Sequence, residues 1–168
     1  MITLETERLR LRPMRHDDLD DIAALLGDPA VMTYYPHPKS RDEARAWIDW
    51  TLDSYARHGH GLWVVESRAT GECYGDCGLT VQHLDGVDEL EVGYHVHTHL
   101  QGRGIATEAA RASLGFAADH LGAERVVAII HPDNIASQRV AEKVGLAREK
   151  VVVRPDGATV VVHAGTPC

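Results

Sequence analysis

A glycine-containing turn, Gln101-Gly-Arg-Gly-Ile-Ala106, joins a strand-like run over 89–96 to a helix-like run over 107–121. Two glycines and an alanine let the backbone come close to a ligand, because no bulky Cβ atom stands in the way. A helix that begins at such a turn offers unpaired N–H groups and about half a positive charge. The turn therefore predicts a seat for a phosphate or pyrophosphate, although glycine-rich turns also occur for reasons of packing.

Length and charge restrict what the rest of the chain can be. With 168 residues the chain is expected to form a single domain over 1–168, with a core that needs no disulfide or metal. An apolar fraction of 44% argues against disorder. A net charge of −8 argues against a nucleic-acid partner, which usually requires a basic surface. It does not exclude one anionic ligand, since a helix N-terminus and one arginine can create a local positive site.

The three cysteines indicate a reducing compartment. Their number is odd, and the N-terminus lacks the basic region and apolar run of an export signal, so we expect a cytoplasmic protein. Cys73 and Cys77 lie in a strand-like run, where Cα atoms four positions apart are about 13 Å from each other, too far for a disulfide. No stretch is long and apolar enough to predict a membrane span.

Hydrophobic periodicity and turn residues predict the elements in order. A capping box, Ser40-Arg-Asp-Glu43, begins one helix, and Asp85-Gly86 marks a turn between two strands. The predicted elements are a strand over 4–12, helices over 17–27 and from 40 to 59 or 61, strands over 62–67, 74–81 and 89–96, a helix over 107–121, a strand over 125–130, a helix from 133 or 134 to 145, and strands over 151–154 and 159–163.

The order β-α-α-β-β-β-α-β-α-β-β predicts an α/β protein of the mixed α+β type. Strands and helices do not alternate strictly, so we expect a central, mixed, mostly antiparallel twisted sheet with helices on its flanks. The strand over 89–96, the helix over 107–121 and the strand over 125–130 are expected to form one right-handed βαβ unit.

Five motifs in this order resemble the GNAT N-acetyltransferase superfamily, in particular its RimJ/RimL-like branch of ribosomal-protein N-acetyltransferases. They are the opening strand over 4–12, Asp28-Pro-Ala-Val31, Glu91-Val-Gly-Tyr94, the turn Gln101–Ala106, and Asn134-Ile-Ala-Ser137 with Val140, Lys143 and Gly145-Leu146 after it. The resemblance covers nearly the whole chain. The branch usually has an aromatic residue and a glycine before the turn, whereas Leu100 and Gln101 stand here; Gln101 fits the wider superfamily.

The resemblance implies that acetyl-CoA is the co-substrate and that its pyrophosphate lies on the turn. Val96 would offer its backbone N–H to the thioester carbonyl, where negative charge develops during attack. Asn134 would bind the pantetheine arm, a role compatible with capping the helix. The turn residues concerned are Gln101, Gly102, Arg103, Gly104, Ile105 and Ala106, with Thr107 as a further hydroxyl donor; the Arg103 side chain could equally be a solvated loop residue.

The candidates for catalysis are side chains that can accept or donate a proton during the transfer. The attacking amine must be neutral, and its pKa is about 8 for an α-amine and about 10.4 for lysine. Glu91 is the candidate for accepting the proton, through water, while Glu89 shares its face and His95 is another titratable group nearby. Either acid could instead pair with a basic residue. The resemblance puts Ser137 near the CoA sulfur, where its hydroxyl could assist the leaving thiolate or only bond to the helix backbone.

The sequence thus predicts an enzyme that transfers acetyl from acetyl-CoA directly to a primary amine in a ternary complex, without a metal. The acceptor is a protein N-terminal α-amine or a small-molecule amine, and we expect its pocket to be shaped by the loop over 34–39 and the two N-terminal helices. Trp47, Trp50 and Tyr55 are expected as core or acceptor-pocket aromatics, with the core favoured for Trp47. A homodimer is left open. Three alternatives remain. The first is another acyl donor such as succinyl-CoA, which a larger pocket lined by a basic residue beside the thioester would favour. The others are a non-catalytic CoA-binding sensor and a metal site built on the alternating His95, His97 and His99.

Overall fold

The computed structural model describes residues 1–168 and consists of one eight-stranded sheet with four α-helices. The strands are β1 (Leu4–Glu5), β2 (Leu9–Pro13), β3 (Leu62–Ser67), β4 (Cys73–Leu84), β5 (Val87–Val96), β6 (Val126–Ile130), β7 (Ala147–Val153) and β8 (Thr159–Gly165). The helices are α1 (Leu19–Leu26), α2 (Arg41–His58), α3 (Ile105–Leu121) and α4 (Ile135–Lys143), with short 3-10 turns at His16–Asp18 and Thr98–Leu100.

The sheet has the order β1-β2-β3-β4-β5-β6-β8-β7, and β5 and β6 are the only neighbouring strands that run parallel. This confirms the predicted mixed, mostly antiparallel sheet and the parallel pair on either side of α3. The β5–β6 ladder contains a single registered pair, Glu91 with Val127. Beyond that pair, toward their C-terminal ends, the two strands are not hydrogen-bonded to each other, so the sheet is open at this point.

Helices cover both faces of the sheet, and adjacent residues of β3 point to opposite layers. Trp63 and Val65 belong to a core of 21 buried residues beneath α3 and α4, where the Trp63 ring meets Phe116 edge-on at 5.1 Å. Leu62 and Val64 belong to a second core of 9 buried residues beneath α1 and α2. We call these the α3 face and the α1/α2 face of the sheet.

The predicted helix boundaries are confirmed where capping residues define them. The Ser40 hydroxyl accepts from the Glu43 N–H (3.2 Å), and the Glu43 carboxylate accepts from the Ser40 N–H (3.0 Å), so the capping box begins α2. Gly59 at φ 73° ends α2, and Gly122 at φ 59° ends α3. Left-handed backbone of this kind is accessible to glycine without a steric cost.

Several boundaries differ from the prediction, among them those of the first strand, α3 and β7. The strand expected over 4–12 is a hairpin of β1 and β2, because the Thr6 hydroxyl accepts from the Leu9 N–H (3.0 Å) and the chain turns back on itself. Helix α3 begins two residues early, at Ile105, directly after the turn. Strand β7 begins at Ala147 because it pairs with β8 from there on, interrupted by a bulge between Arg148 and Lys150, although charged residues obscure its alternation.

The three cysteines are free, as expected, with Cys77 buried and Cys168 exposed. None of the helices combines the length and the apolar character that a membrane span requires.

Candidate functional site

The glycine turn has the predicted local structure. Gly102 and Gly104 adopt φ 76° and 77°, a region that costs other residues about 1–2 kcal/mol. The Gln101 amide donates to the Val96 carbonyl (3.1 Å) and so fixes the turn to the end of β5. The first intrahelical bond of α3 runs from the Glu108 N–H to the Gly104 carbonyl (3.0 Å). The N–H groups between these two residues therefore have no partner within the helix and are free to bind an acceptor atom.

A residue whose role the sequence did not predict is hydrogen-bonded to the backbone of this turn. Arg8 donates through Nη1 to the Arg103 carbonyl (2.8 Å) and through Nε to the Glu108 carboxylate (2.7 Å). The same carboxylate accepts from the Thr6 hydroxyl at 2.6 Å. The Arg103 side chain is exposed, and together with Arg8 and Arg68 it lines a cavity of about 600 Å³. Glu7 lines the same cavity, and Arg8 and Arg68 pair with Glu108 and Glu5, so Arg103 is the arginine of this group without an ion pair.

Two hydroxyl groups connect β5 to α4 across the open part of the sheet. The Tyr94 hydroxyl donates to the Ser137 carbonyl (2.8 Å), and the Ser137 hydroxyl donates to the Tyr94 oxygen (3.2 Å). Asn134 caps α4 by accepting from the Ser137 N–H (3.1 Å) through Oδ1. Burial raises the pKa of Tyr94 well above its usual value, so the phenol remains protonated. The sequence indicates Tyr94 only as part of a motif and does not predict its pairing with Ser137.

Glu91 lies on the opposite face of β5 from Tyr94, toward α1 and α2. The Thr80 hydroxyl of β4 approaches its carboxylate at 3.4 Å. Burial raises the pKa of Glu91 to about 7, and hydrogen bonds from the Ile129 backbone and from Thr80 offset only part of that effect. A carboxylate with such a pKa is partly ionised near neutrality and can both accept and release a proton there.

Glu89 has a different environment, although it shares the face of Glu91. Arg125 donates to its carboxylate at 3.1 Å and also binds Glu149 at 2.7 Å. The ion-pair interpretation that the sequence left open for both acids therefore holds for Glu89. For Glu91 the structure contains no ion pair.

His95 is held between a buried carboxylate and a loop tyrosine. Its Nδ1 lies 2.7 Å from Asp76 Oδ1, and its Nε2 lies 2.7 Å from the Tyr35 hydroxyl. Asp76 is fully buried, and Trp47 donates to its second oxygen at 3.1 Å. Burial, and then the carboxylates of Glu91 and Asp76, raise the pKa of Tyr35 above its usual value. These groups form one polar network on the α1/α2 face.

The loop over 34–39 contributes to this network, whereas its role toward the acceptor stays a prediction. The Tyr35 hydroxyl contacts His95, and the Tyr34 ring lies 5.1 Å from the His131 ring. Trp47 fits both expectations for it, because it packs half-buried against the α1/α2 core while its indole binds Asp76 and its ring lies 6.0 Å from His95. The sequence could not predict this polar partner on β4.

The other two histidines do not join His95. The rings of His97 and His99 lie 5.7 Å from each other, and His99 is 3.8 Å from Glu72. No group of three or more His, Cys, Asp or Glu side chains is arranged as a metal site.

Comparisons with known proteins agree with this architecture. A family model described as "Acetyltransferase (GNAT) domain" matches residues 8–147. The uncharacterized protein YkkB of Bacillus subtilis (strain 168) is 38% identical over 150 residues, which are 89% of this chain and 87% of that protein. The acetyltransferase from Agrobacterium tumefaciens str. C58 has a TM-score of 0.85 at 28% identity, over 98% of this chain and 94% of the other.

A fourth similarity concerns the fold alone. RimL, a ribosomal alpha-N-protein acetyltransferase solved in complex with coenzyme A, has a TM-score of 0.81 at 18% identity, with 98% of each chain covered.

Proposed function

Because this chain belongs to the GNAT acetyltransferase family, we propose that it transfers acetyl from acetyl-CoA to a primary amine in a ternary complex. The observation that carries this proposal is that β5 has a proton acceptor on one face and hydroxyl donors on the other. Glu91, with a pKa of about 7, is on one face, and the Tyr94–Ser137 hydroxyl pair is on the other. Strand β5 itself ends at Val96, shortly before the glycine turn.

The turn is suited to the donor. An added Cβ atom at Gly102 would meet no atom of the chain within 4 Å, so the space in front of the turn is open. The N–H groups that precede the first bond of α3 can bind pyrophosphate oxygens, and Arg103 can contribute a charge. Asn134 uses Oδ1 for its cap and retains its amide NH₂ for the pantetheine arm. That RimL was solved with coenzyme A supports this assignment.

The residues of the site can account for each proton in the transfer. Glu91 accepts the proton that the ammonium of the acceptor must lose, directly or through one water, and the neutral amine then attacks the carbonyl carbon. The Val96 N–H is the proposed donor to the carbonyl oxygen as it becomes negative. The carbon–nitrogen bond forms as the carbon–sulfur bond breaks. The nitrogen loses its second proton to water and the departing sulfur takes one up, while a hydroxyl of the Tyr94–Ser137 pair turns from its present partner to donate a hydrogen bond to the sulfur. Acetylated amine and CoA thiol result.

Free thiol released from acetyl-CoA, measured against a panel of peptides and small amines, tests this function. We expect release that depends on an amine and that increases with the neutral fraction of that amine. Calorimetric binding of CoA without turnover of any amine would contradict the proposal and would favour a CoA-binding sensor. An acyl-CoA that is hydrolysed equally well with and without amine would also contradict it.

A further inference from the structure

Arg154, directly after β7, is a half-buried arginine without a partner. Its Nε atom is buried and has no hydrogen-bond partner, and none of the ion pairs of the chain includes its guanidinium. Most other arginines near the sheet are bound to carboxylates, as Arg12 is to Asp18 at 2.7 Å. Burying a polar group without a partner is costly, so an unpaired guanidinium indicates that something else binds it.

The register of the sheet places Arg154 on the same face as Glu91. Val152 packs with Val127 and Val162 in one buried cluster, and Val127 is the registered partner of Glu91. Because side chains alternate along a strand, the residue two positions after Val152 points to that same α1/α2 face. Arg154 therefore shares its side of the sheet with Glu91 and with the Asp76–His95–Tyr35 network.

The strand directions place Arg154 at the same edge as the open part of the sheet. Strand β7 is antiparallel to β8, and β8 is antiparallel to β6, so β7 runs parallel to β5 and β6. Their three C-terminal ends meet at one edge. Strand β7 lies three positions from β5 in the sheet. The registers place Glu91 level with Ala147, so Arg154 lies nearer to that edge than Glu91 does.

The two charges influence each other without forming an ion pair. The positive charge of Arg154 is one of the influences that lower the pKa of Glu91 against the larger effect of burial. No ion pair joins Glu91 to Arg154. A proton acceptor and an unpaired guanidinium therefore lie on the same side of the sheet, the side assigned to the acceptor, without neutralising each other.

We propose that Arg154 binds an oxyanion of the acceptor, so that the substrate is a primary amine carrying a carboxylate or phosphate a few bonds from its nitrogen. The inference rests on the proposed function, in which Glu91 receives the amine proton. A guanidinium suits this role because it stays charged and presents parallel N–H donors to a carboxylate or phosphate. The ammonium and the oxyanion of one small molecule would then complement Glu91 and Arg154.

Matched pairs of amines test the proposal. β-Alanine and propylamine differ only by carboxylate for methyl, and O-phosphoethanolamine is compared with ethylamine. A peptide beginning with aspartate is compared with the asparagine peptide, which separates a small-molecule source of the oxyanion from a peptide source. We expect the parent protein to prefer the anionic member of at least one pair by tenfold or more in kcat/KM.

Arg154→Gln should remove that preference by raising KM for the anionic amine at least tenfold, while kcat/KM for the neutral amine stays within about twofold. Arg154→Lys should restore part of it. Arg148→Gln is the control, since Arg148 is exposed on the same strand and pairs with His163 on the other face. Calorimetric binding of β-alanine and of O-phosphoethanolamine provides a readout that does not depend on turnover.

The outcomes separate this inference from the proposed function. A parent protein that acetylates amines but treats both members of every pair alike would overturn the role of Arg154 and leave the function intact. If Arg154→Gln instead loses a preference for succinyl-CoA over acetyl-CoA, the guanidinium binds the donor and the inference is wrong. If no amine is acetylated, the function fails, and binding of neither anion to the parent protein would then overturn the inference as well.

Discussion

The donor half and the acceptor half of this site are built in different ways. Apart from Asn134 and Ser137 of α4, the proposed donor half is local and made mostly of backbone, since one strand end, one turn and one helix start supply it within residues 96–107. The acceptor half is made of side chains from distant segments. His95 meets Asp76 from 19 positions away and Tyr35 from 60 positions away. A shared co-substrate can be bound by a short motif, whereas a particular acceptor requires long-range assembly.

The largest effect that we predict lies in the acceptor half. Glu91→Gln keeps the shape of the side chain and removes the base, so turnover should fall by about 10²–10⁴-fold while CoA affinity is little changed. The loss should be larger for lysine-like amines than for α-amines, because their protons are held more tightly. Steady-state kinetics on both acceptor types measure this. Glu89→Gln is the matched control, because that carboxylate already binds Arg125, and it should retain most of the activity.

The pH dependence has a defined sign. As a base, Glu91 must be ionised, so the ratio of parent to Glu91→Gln turnover should increase as pH rises through about 7 and level off above it. The raised pKa also means that ionised Glu91 opposes folding, since the unfolded chain ionises it at lower pH. Glu91→Gln should therefore be no less stable than the parent above about pH 7. A ratio that is constant from acid to alkaline pH would exclude Glu91, and His95 would be the next candidate.

The next largest effect lies in the donor half. Gly104→Ala places a side chain on left-handed backbone, 3.3 Å from Arg8 Nη2, and should weaken CoA binding tenfold or more by calorimetry. Gly86→Ala is matched in backbone, because Gly86 has φ 78° in the β4–β5 turn and meets no atom within 4 Å. Both variants should lose about 1–2 kcal/mol of stability, but only Gly104→Ala should lose affinity. Equal CoA affinity in both variants would remove the turn from the donor site.

The same contrast explains what the sequence could and could not predict. The turn, the capping box at Ser40 and the parallel pair around α3 follow from local rules, and the structure confirms them. Asp76 and Arg154 could not be predicted, because a lone polar residue in an alternating strand carries no information about the residue opposite it. The sequence left Trp47 open between the core and the acceptor pocket for the same reason, since it does not show that the indole N–H binds a carboxylate from another element.

A smaller effect is expected where the two halves meet. Ser137→Ala removes one of the two hydroxyls near the proposed position of the sulfur and should slow turnover by roughly tenfold to a hundredfold, the lower end of general-acid catalysis. Binding of CoA and the fold should persist, because Asn134 still caps α4 through the backbone N–H of residue 137.

Tyr94→Phe tests the same hydroxyl pair from the other side. Since Tyr94 and Ser137 are hydrogen-bonded, the double variant should be impaired less than the product of the two single effects. Turnover of Ser137→Ala within about twofold of the parent, a difference of only ~0.4 kcal/mol, would reduce Ser137 to a first-turn serine.

The smallest effect that we predict concerns the loop that completes the acceptor half. Tyr35→Phe keeps the ring and removes the hydroxyl that meets His95 Nε2 at 2.7 Å. One lost neutral hydrogen bond is worth about 0.5–1.5 kcal/mol, so the acceptor KM should rise by roughly two- to tenfold, with CoA affinity unchanged. Tyr34→Phe is the control, because Tyr34 approaches His131 only through its ring. If both variants change the acceptor KM equally, the loop contributes bulk rather than the His95 contact, and if neither does, the loop lies outside the acceptor site.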